Sequence, residues 1–302
     1  MRRGPRRRRR AVTGSAPGVG AAPAPREAPP TASRGAPQLA AEGVTLSYRP
    51  GHPVIEELSV SIAPGEVTMI VGPNACGKST LLRALSRVLP LDGGAVVLDG
   101  APVDGMRPKA FARRVGLLAQ SSIAPEGITV HELVARGRYP HQSVLHQWSP
   151  EDDEAVSEAM DRTDVTGLAG RRVSSLSGGQ RQRAWIAMAL AQRTDILLLD
   201  EPTTFLDLAH QVEVLELCRE LNESLGTTIV AVLHDLNQAC RYADRVIAMR
   251  SGRVLAHGAP SEVITEEVVK EVFGLPVRVM GDPLTGTPMV LPLPRRDRRG
   301  QV

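Results

Sequence analysis

Residues 72–80 read Gly-Pro-Asn-Ala-Cys-Gly-Lys-Ser-Thr. Gly72, Gly77, Lys78 and Ser79 fill the four fixed places of the pattern G-x-x-x-x-G-K-[ST]. Ahead of them, Val67-Thr68-Met69-Ile70-Val71 is an apolar, largely β-branched run, the mark of a buried strand. Behind them, Leu81, Leu82, Leu85, Val88 and Leu89 recur at helical spacing, and Asp92-Gly93-Gly94 is expected to end that helix. A loop from a strand end to a helix start is the context that makes this pattern a phosphate cradle. Glycine lets the backbone approach a ligand without a Cβ in the way. Successive amides and the positive end of the helix dipole then favour an anion. Lys78 would reach the β- and γ-phosphates of a nucleotide, and Ser79 would offer its hydroxyl to Mg²⁺.

Working outward, two more apolar runs end in polar residues suited to the same chemistry. Ile196-Leu197-Leu198-Leu199 leads into Asp200-Glu201-Pro202, and Thr228 to Leu233 leads into His234. In a parallel sheet the carboxyl ends of strands share the edge where ligands bind. Asp200 is expected to meet Mg²⁺ beside the phosphate loop, helix capping being its structural alternative. Glu201 would project to the opposite side and polarise a water for attack on the γ-phosphate. His234 is the candidate sensor of that phosphate, although a histidine at a strand end is more usually structural. Val115 to Ala119 is a shorter apolar strand ending at Gln120.

The remaining pattern is that of an α/β protein. Val44, Leu46 and Tyr48 alternate with Thr45 and Ser47, the period of a half-buried strand. Val54-Ile55 and Leu58 to Ile62 continue a sheet after a Pro-Gly turn, and Ala95 to Leu98 is a strand followed by the tight turn Asp99-Gly100. From about Thr129 to Ala191 the character is helical. Ser149-Pro150-Glu151-Asp152 starts one helix, with Ser at the N-cap, Pro at the first position and acids in the first turn. A single helix is expected over 261–273. Strands alternating with helices imply a parallel sheet, and no internal repeat is visible, so one nucleotide site per chain is expected. His131-Glu132 lacks the second histidine of a zinc helix, since Ala135 stands in its place. His141 and His146 have no evident partners for a metal.

Composition narrows the class. The chain has 302 residues, 42% of them hydrophobic and only 3% aromatic, so aliphatic side chains must fill the core. No apolar run approaches the roughly 18 residues of a membrane span. The basic start, Met1 to Arg10, leads into Ala, Gly, Pro and Ser without an apolar segment and does not read as a secretory signal. Three cysteines, odd in number and without framework spacing, fit a reducing compartment. The formal net charge of +3 conceals an asymmetry: residues 1–40 carry +8, residues 291–302 carry +3, and the middle carries −8. The Arg-rich start suits nucleic acid or anionic lipid, but its Pro, Gly and Ala content without periodicity favours a solvated extension. Nucleic acid is therefore not expected as a partner. Residues 1–38 are expected as a disordered tail, 39–280 as the folded domain and 281–302 as a C-terminal tail.

One pentapeptide narrows the reading further. Leu176-Ser177-Gly178-Gly179-Gln180, taken with Gly72–Thr80, Gln120, Ile196–Pro202, Phe205-Leu206-Asp207 and His234, has the order and spacing of an ABC-transporter ATPase subunit, a resemblance covering about residues 39–280. It implies a P-loop NTPase (RecA-like) α/β core with an antiparallel β subdomain and an inserted helical subdomain over about 121–190. The implied ligands are ATP and Mg²⁺. Glu201, His234, Gln120 and Lys78 are the implied catalytic residues. Ser79, Gln120 and Asp200 are the implied Mg²⁺ ligands. Pro73, Asn74, Ala75, Cys76, Gly77 and Thr80 complete the phosphate loop begun by Gly72, with only the backbone of Cys76 expected to matter. Tyr48 resembles the aromatic that stacks on adenine. Ser177, Gly178, Gly179 and Gln180 would cap ATP held by a second copy, and Asp207 would link the two sites. The implied assembly is a homodimer on the cytoplasmic face of the membrane, bound to two integral-membrane permease subunits and served by an extracytoplasmic binding protein. Gly137–His141, Trp148, Arg183–Gln192, Thr203–Asp207 and Leu233–Asp244 resemble ferric-siderophore importer ATPases more narrowly, with cobalamin and haem importers as near alternatives and a nucleic-acid-associated ABC ATPase using the basic tail as a more distant one.

Overall fold

The computed structural model describes Met1 and residues 38–49, 51–120, 124–143 and 148–294. The tail expected over 1–38 lies outside the described residues except for Met1 and Gln38, as do His146 and residues 295–302. Twelve strands and nine α-helices follow in order among the described residues. The first half holds β1 (Leu39–Arg49), β2 (His52–Ile62), β3 (Val67–Val71), α1 (Lys78–Leu85), β4 (Gly93–Leu98), β5 (Ala101–Pro102), α2 (Pro108–Ala112), β6 (Val115–Leu118), α3 (Val130–Ala135) and α4 (Pro150–Arg162). Then come α5 (Gly178–Ala191), β7 (Ile196–Leu199), α6 (Leu208–Leu225), β8 (Thr228–Val232), α7 (Leu236–Tyr242), β9 (Arg245–Arg250) and β10 (Arg253–Gly258). The chain closes with α8 (Pro260–Val263), α9 (Glu266–Phe273), β11 (Val277–Gly281) and β12 (Pro288–Pro292).

The central sheet has the order β10-β9-β3-β8-β7-β6, parallel except for the edge strand β10. Its inner strands β3, β7 and β8 are buried at every position and almost wholly apolar because both of their faces are covered. Leu197 and Leu199 of β7 join a core formed with α3 to α6, whereas Ile196 and Leu198 join a second core beneath α1 and the antiparallel sheet β2-β1-β4-β5. Register places the exits of four strands side by side. Leu118 pairs with Leu199, Leu199 with Ala231, and Ile70 with Val232. Gly72, Gln120, Asp200 and His234 therefore leave the sheet at one edge.

Helices α3, α4 and α5 pack against one another. Glu132 is held in a capping box with Thr129 at the start of α3. Gly137 sits so close to α5 that a Cβ there would lie 2.1 Å from the Met188 carbonyl oxygen.

Three expectations are corrected. Helix α1 ends at Leu85 rather than near Asp92, because Arg87 turns into the left-handed region at φ 58°. Val88, expected on the buried face, is consequently 59% exposed. The helix expected over 261–273 breaks at Ile264, and the Thr265 side chain caps a second helix by accepting from the Val268 amide. The chain beyond 281 is not all tail, since β11 and β12 form an antiparallel hairpin docked on α7.

Candidate active site

The phosphate loop leaves the buried strand β3 beside β9. A Cβ on Gly72 would lie 2.2 Å from the Met249 carbonyl oxygen and 2.8 Å from Cys76 Sγ, so the path needs glycine. Gly77, at φ 106°, turns the chain into α1, and its carbonyl accepts from the Leu81 amide at 2.8 Å. Lys78 is 5% exposed, and its ammonium donates to the carbonyls of Gly72 and Pro73, both at 2.9 Å. The lysine is thus curled into its own loop. Cys76 packs into the core, burial pushes its thiol pKa up, and its carbonyl accepts from the Gly252 amide.

Ser79 Oγ donates to Asp200 Oδ1 at 2.7 Å. Asp200 is 2% exposed, and burial raises its carboxyl above the usual range despite the Ser79 hydroxyl and Arg83, 3.9 Å away. Its Oδ2 is buried without a hydrogen-bond partner. An orphaned carboxylate oxygen beside a serine hydroxyl is a donor set suited to a hard cation, so these residues fit Mg²⁺.

Glu201 follows with φ 54°, a left-handed conformation that swings its side chain away from Asp200. Its Oε2 accepts from Gln120 Nε2 at 2.6 Å and from Thr204 Oγ1 at 2.9 Å, and His234 Nε2 donates to Oε1 at 2.8 Å. With its nitrogen so engaged, Gln120 keeps its amide oxygen for another partner. Tyr48, Val54, Asn74, Ala75, Gly77, Lys78, Ser79, Thr80, Gln120, Glu201 and His234 line one open cleft of about 510 Å³. The Tyr48 hydroxyl lies 3.3 Å from Thr80 Oγ1 at its rim.

A second cluster stands apart from the cleft. The Ser177 hydroxyl accepts from the Gln180 amide and the Gln180 side chain accepts from the Ser177 amide, a capping box that starts α5. Asp207 caps α6, its Oδ1 accepting from the His210 amide at 3.0 Å and from Nδ1 of the same ring at 2.6 Å. These bonds, the His210 amide first, hold the Asp207 carboxyl below its usual range. A Cβ on Gly179 would lie 2.3 Å from the His210 ring, so the two helix starts are pressed together. None of residues 177–180 lines the cleft, and Ser177 and Gly178 are exposed.

Comparison with known proteins decides the family. The ABC transporter family model matches residues 55–204. The ferric enterobactin transport ATP-binding protein FepC of Escherichia coli (strain K12) is 55% identical over 258 residues, covering 85% of this chain and 95% of that protein. A metal-chelate type ABC transporter solved in an inward-facing conformation is 28% identical, with a TM-score of 0.74 over 86% of this chain and 98% of its own. A dimeric ATP-binding cassette solved in a post-hydrolysis state with ADP and Pi is 27% identical, with a TM-score of 0.65 over 73% of this chain and 98% of its own.

The chain belongs to the ABC-transporter ATPases.

In this ABC ATPase the sequence-predicted residues fall into two groups. The fold gathers the phosphate loop, Gln120, Asp200, Glu201 and His234 at one edge of the central sheet, adds Tyr48 from β1 of the antiparallel sheet, and keeps Ser177–Gln180 and Asp207 together elsewhere. Sequence reasoning missed Val54, which lines the cleft from β2, Arg83 beside Asp200, and Thr204 on Glu201. Only Thr204 had a signal, its place one short turn after Glu201. No helix among the described residues is long and apolar enough to cross a membrane.

Proposed function

We propose that this ABC ATPase is the motor of a ferric-siderophore importer. Two copies bind two ATP molecules face to face on the cytoplasmic side of a membrane. They drive a pair of membrane-spanning permease subunits fed by an extracytoplasmic binding protein. The observation that carries the motor reading is the separation of the two clusters. Each cleft holds Lys78, Ser79, Gln120, Glu201 and His234, and lacks any residue of 177–180. A second copy is the natural source of that cap, because the exposed start of α5 offers amides and a helix dipole to a phosphate. The cargo rests on the relative named for ferric enterobactin transport and on the narrower sequence resemblance.

The residues divide the work of phosphoryl transfer, which is mostly positioning and charge stabilisation. Lys78 releases the Gly72 and Pro73 carbonyls and turns its ammonium to the β- and γ-phosphates. The loop amides hold the phosphate chain, and Tyr48 stacks on the adenine. Ser79, Asp200 and the Gln120 oxygen would hold Mg²⁺. When bound, that ion neutralises charge on the phosphates. Glu201 orients a water and accepts its proton, and His234 contacts the γ-phosphate. Asp207 joins the two sites across the dimer.

Ferric-siderophore uptake by iron-starved cells lacking the gene tests the reading, with wild type or Glu201→Gln restored. Labelled cobalamin and haem run in parallel. Rescue of iron uptake by wild type and not by Glu201→Gln is the expected result. Rescue of cobalamin or haem uptake alone would reject the siderophore assignment.

A further inference from the structure

We infer that Thr204 is a positioning residue for the catalytic carboxylate, holding Glu201 Oε2 after His234 turns to the nucleotide. The inference rests on Glu201 acting as the base. Three donors reach that carboxylate in this structure. Gln120 comes from the end of β6 and His234 from the end of β8. In the proposed cycle His234 turns to the terminal phosphate, and Gln120 takes a second partner, the metal, on its amide oxygen. Thr204 differs from them because it stands on the same turn as Glu201. Its amide donates to the Glu201 carbonyl at 3.2 Å and its hydroxyl donates to Glu201 Oε2 at 2.9 Å. The short loop fixes both residues and keeps this hydroxyl within reach whatever occupies the cleft.

The backbone supports such a role. Glu201 (φ 54°) and Phe205 (φ 64°) are both in the left-handed region, on either side of Thr204. Two such residues in five are costly and persist only where the surroundings over-determine them. Thr203 closes the next turn by accepting from the Leu206 amide, and Gln211 of α6 donates to the Leu206 carbonyl at 3.0 Å. The segment is therefore fixed from both ends, with Thr204 directed at the carboxylate. A carboxylate held through Oε2 keeps Oε1 for the water once His234 departs. Without the Thr204 hydroxyl, Oε2 keeps only Gln120, which comes from a different strand, and Glu201 is less firmly fixed at the moment when a fixed base is needed.

The test uses the full-length chain and four variants: Thr204→Val, Thr204→Ser, Glu201→Gln and the double variant Thr204→Val/Glu201→Gln. Steady-state ATP hydrolysis gives kcat and KM, ATP titration gives affinity, and thermal melting checks the fold. Losing one hydrogen bond to a charged group lowers kcat by about tenfold. Thr204→Val is expected to show that loss with KM and ATP affinity changed less than about twofold, since only the chemical step is affected. Thr204→Ser, which keeps the hydroxyl, is expected to recover most of the rate. In the Glu201→Gln background Thr204→Val is expected to add no further loss, as two residues acting through one group are not additive. Wild-type kcat in Thr204→Val beside an inactive Glu201→Gln would overturn this inference and leave the motor reading standing. An equal loss in both backgrounds would also overturn it, by showing that Thr204 acts apart from Glu201. Wild-type turnover by Glu201→Gln would remove the base assignment and this inference with it.

Discussion

Arg138 and Asp152 are charged residues buried almost completely, and each depends on the other. Arg138 Nε meets Asp152 Oδ1 at 2.6 Å, and its NH1 donates to the Ala191 carbonyl at 2.8 Å. Burial pushes the Asp152 carboxyl up, but hydrogen bonds from Arg138 and Ser149 outweigh it and hold the pKa below the usual 3.8. A carboxyl with a depressed folded pKa gives its full stabilisation above the unfolded value and loses it as pH falls through the folded value. Asp152→Asn, which strands the guanidinium, is expected to cost about 3 kcal/mol at pH 7. The gap should shrink as pH is lowered from 7 to below the usual carboxyl value of 3.8. Urea midpoints of both proteins at the two pH values check this, and a gap independent of pH would contradict it. The sequence displayed half of this pair. Ser149-Pro150-Glu151-Asp152 announced a helix start, which Asp152 does close as a capping box, but nothing in residue spacing connects it to Arg138. That link exists only because Gly137 lets the segment approach α5.

Among the elements, those buried on both faces were the most legible. Strands β3, β7 and β8 are continuous apolar runs because helices or a second sheet cover each side, so pattern alone reveals them. The β11–β12 hairpin lacks that signal. Its strands have five residues each, and β12 begins and ends with proline. What fixes it is a contact distant in sequence. Val290 donates its amide to Asn237 Oδ1 at 2.7 Å, Asn237 Nδ2 reaches the Val290 carbonyl at 3.4 Å, and Arg241 pairs with Asp282 at 2.8 Å. Asn237→Ala leaves the Val290 amide without its partner and is expected to cost about 1–2 kcal/mol. Because α7 starts just after His234, ATP turnover is also expected to fall. A denaturation midpoint and a hydrolysis rate both equal to wild type would reject the hairpin as a support of α7.

At the scale of the molecule, residues as far apart in sequence as Ser79 and His234 share one cleft because parallel strands deliver their ends to one edge, and Tyr48 joins them from β1 of the antiparallel sheet. That much of the site follows from motif and fold class together. The conformation of the site does not. Sequence leads to the expectation that Lys78 and Glu201 serve a nucleotide, but not that Lys78 is folded onto its own loop carbonyls or that Glu201 is bound by three donors. These bonds form because the cleft's polar groups satisfy one another. Nor does the chain bring Ser177–Gln180 to its own cleft. Phe205, 96% exposed at the tip of the 201–207 turn, stands on the same side of the fold as Gly178, whose Cβ would lie 3.9 Å from the Phe205 carbonyl. A large apolar side chain so exposed beside the capping cluster suits burial against a second copy.

The central claim is that two chains close over ATP and that Glu201 is needed to reopen them. Sedimentation of Glu201→Gln with Mg²⁺ and either ATP or ADP tests it most directly. The account predicts a dimer with ATP and a monomer with ADP, together with ATP hydrolysis reduced at least about a hundredfold. A Glu201→Gln protein that stays monomeric in saturating ATP, or that hydrolyses it at the wild-type rate, would contradict the account.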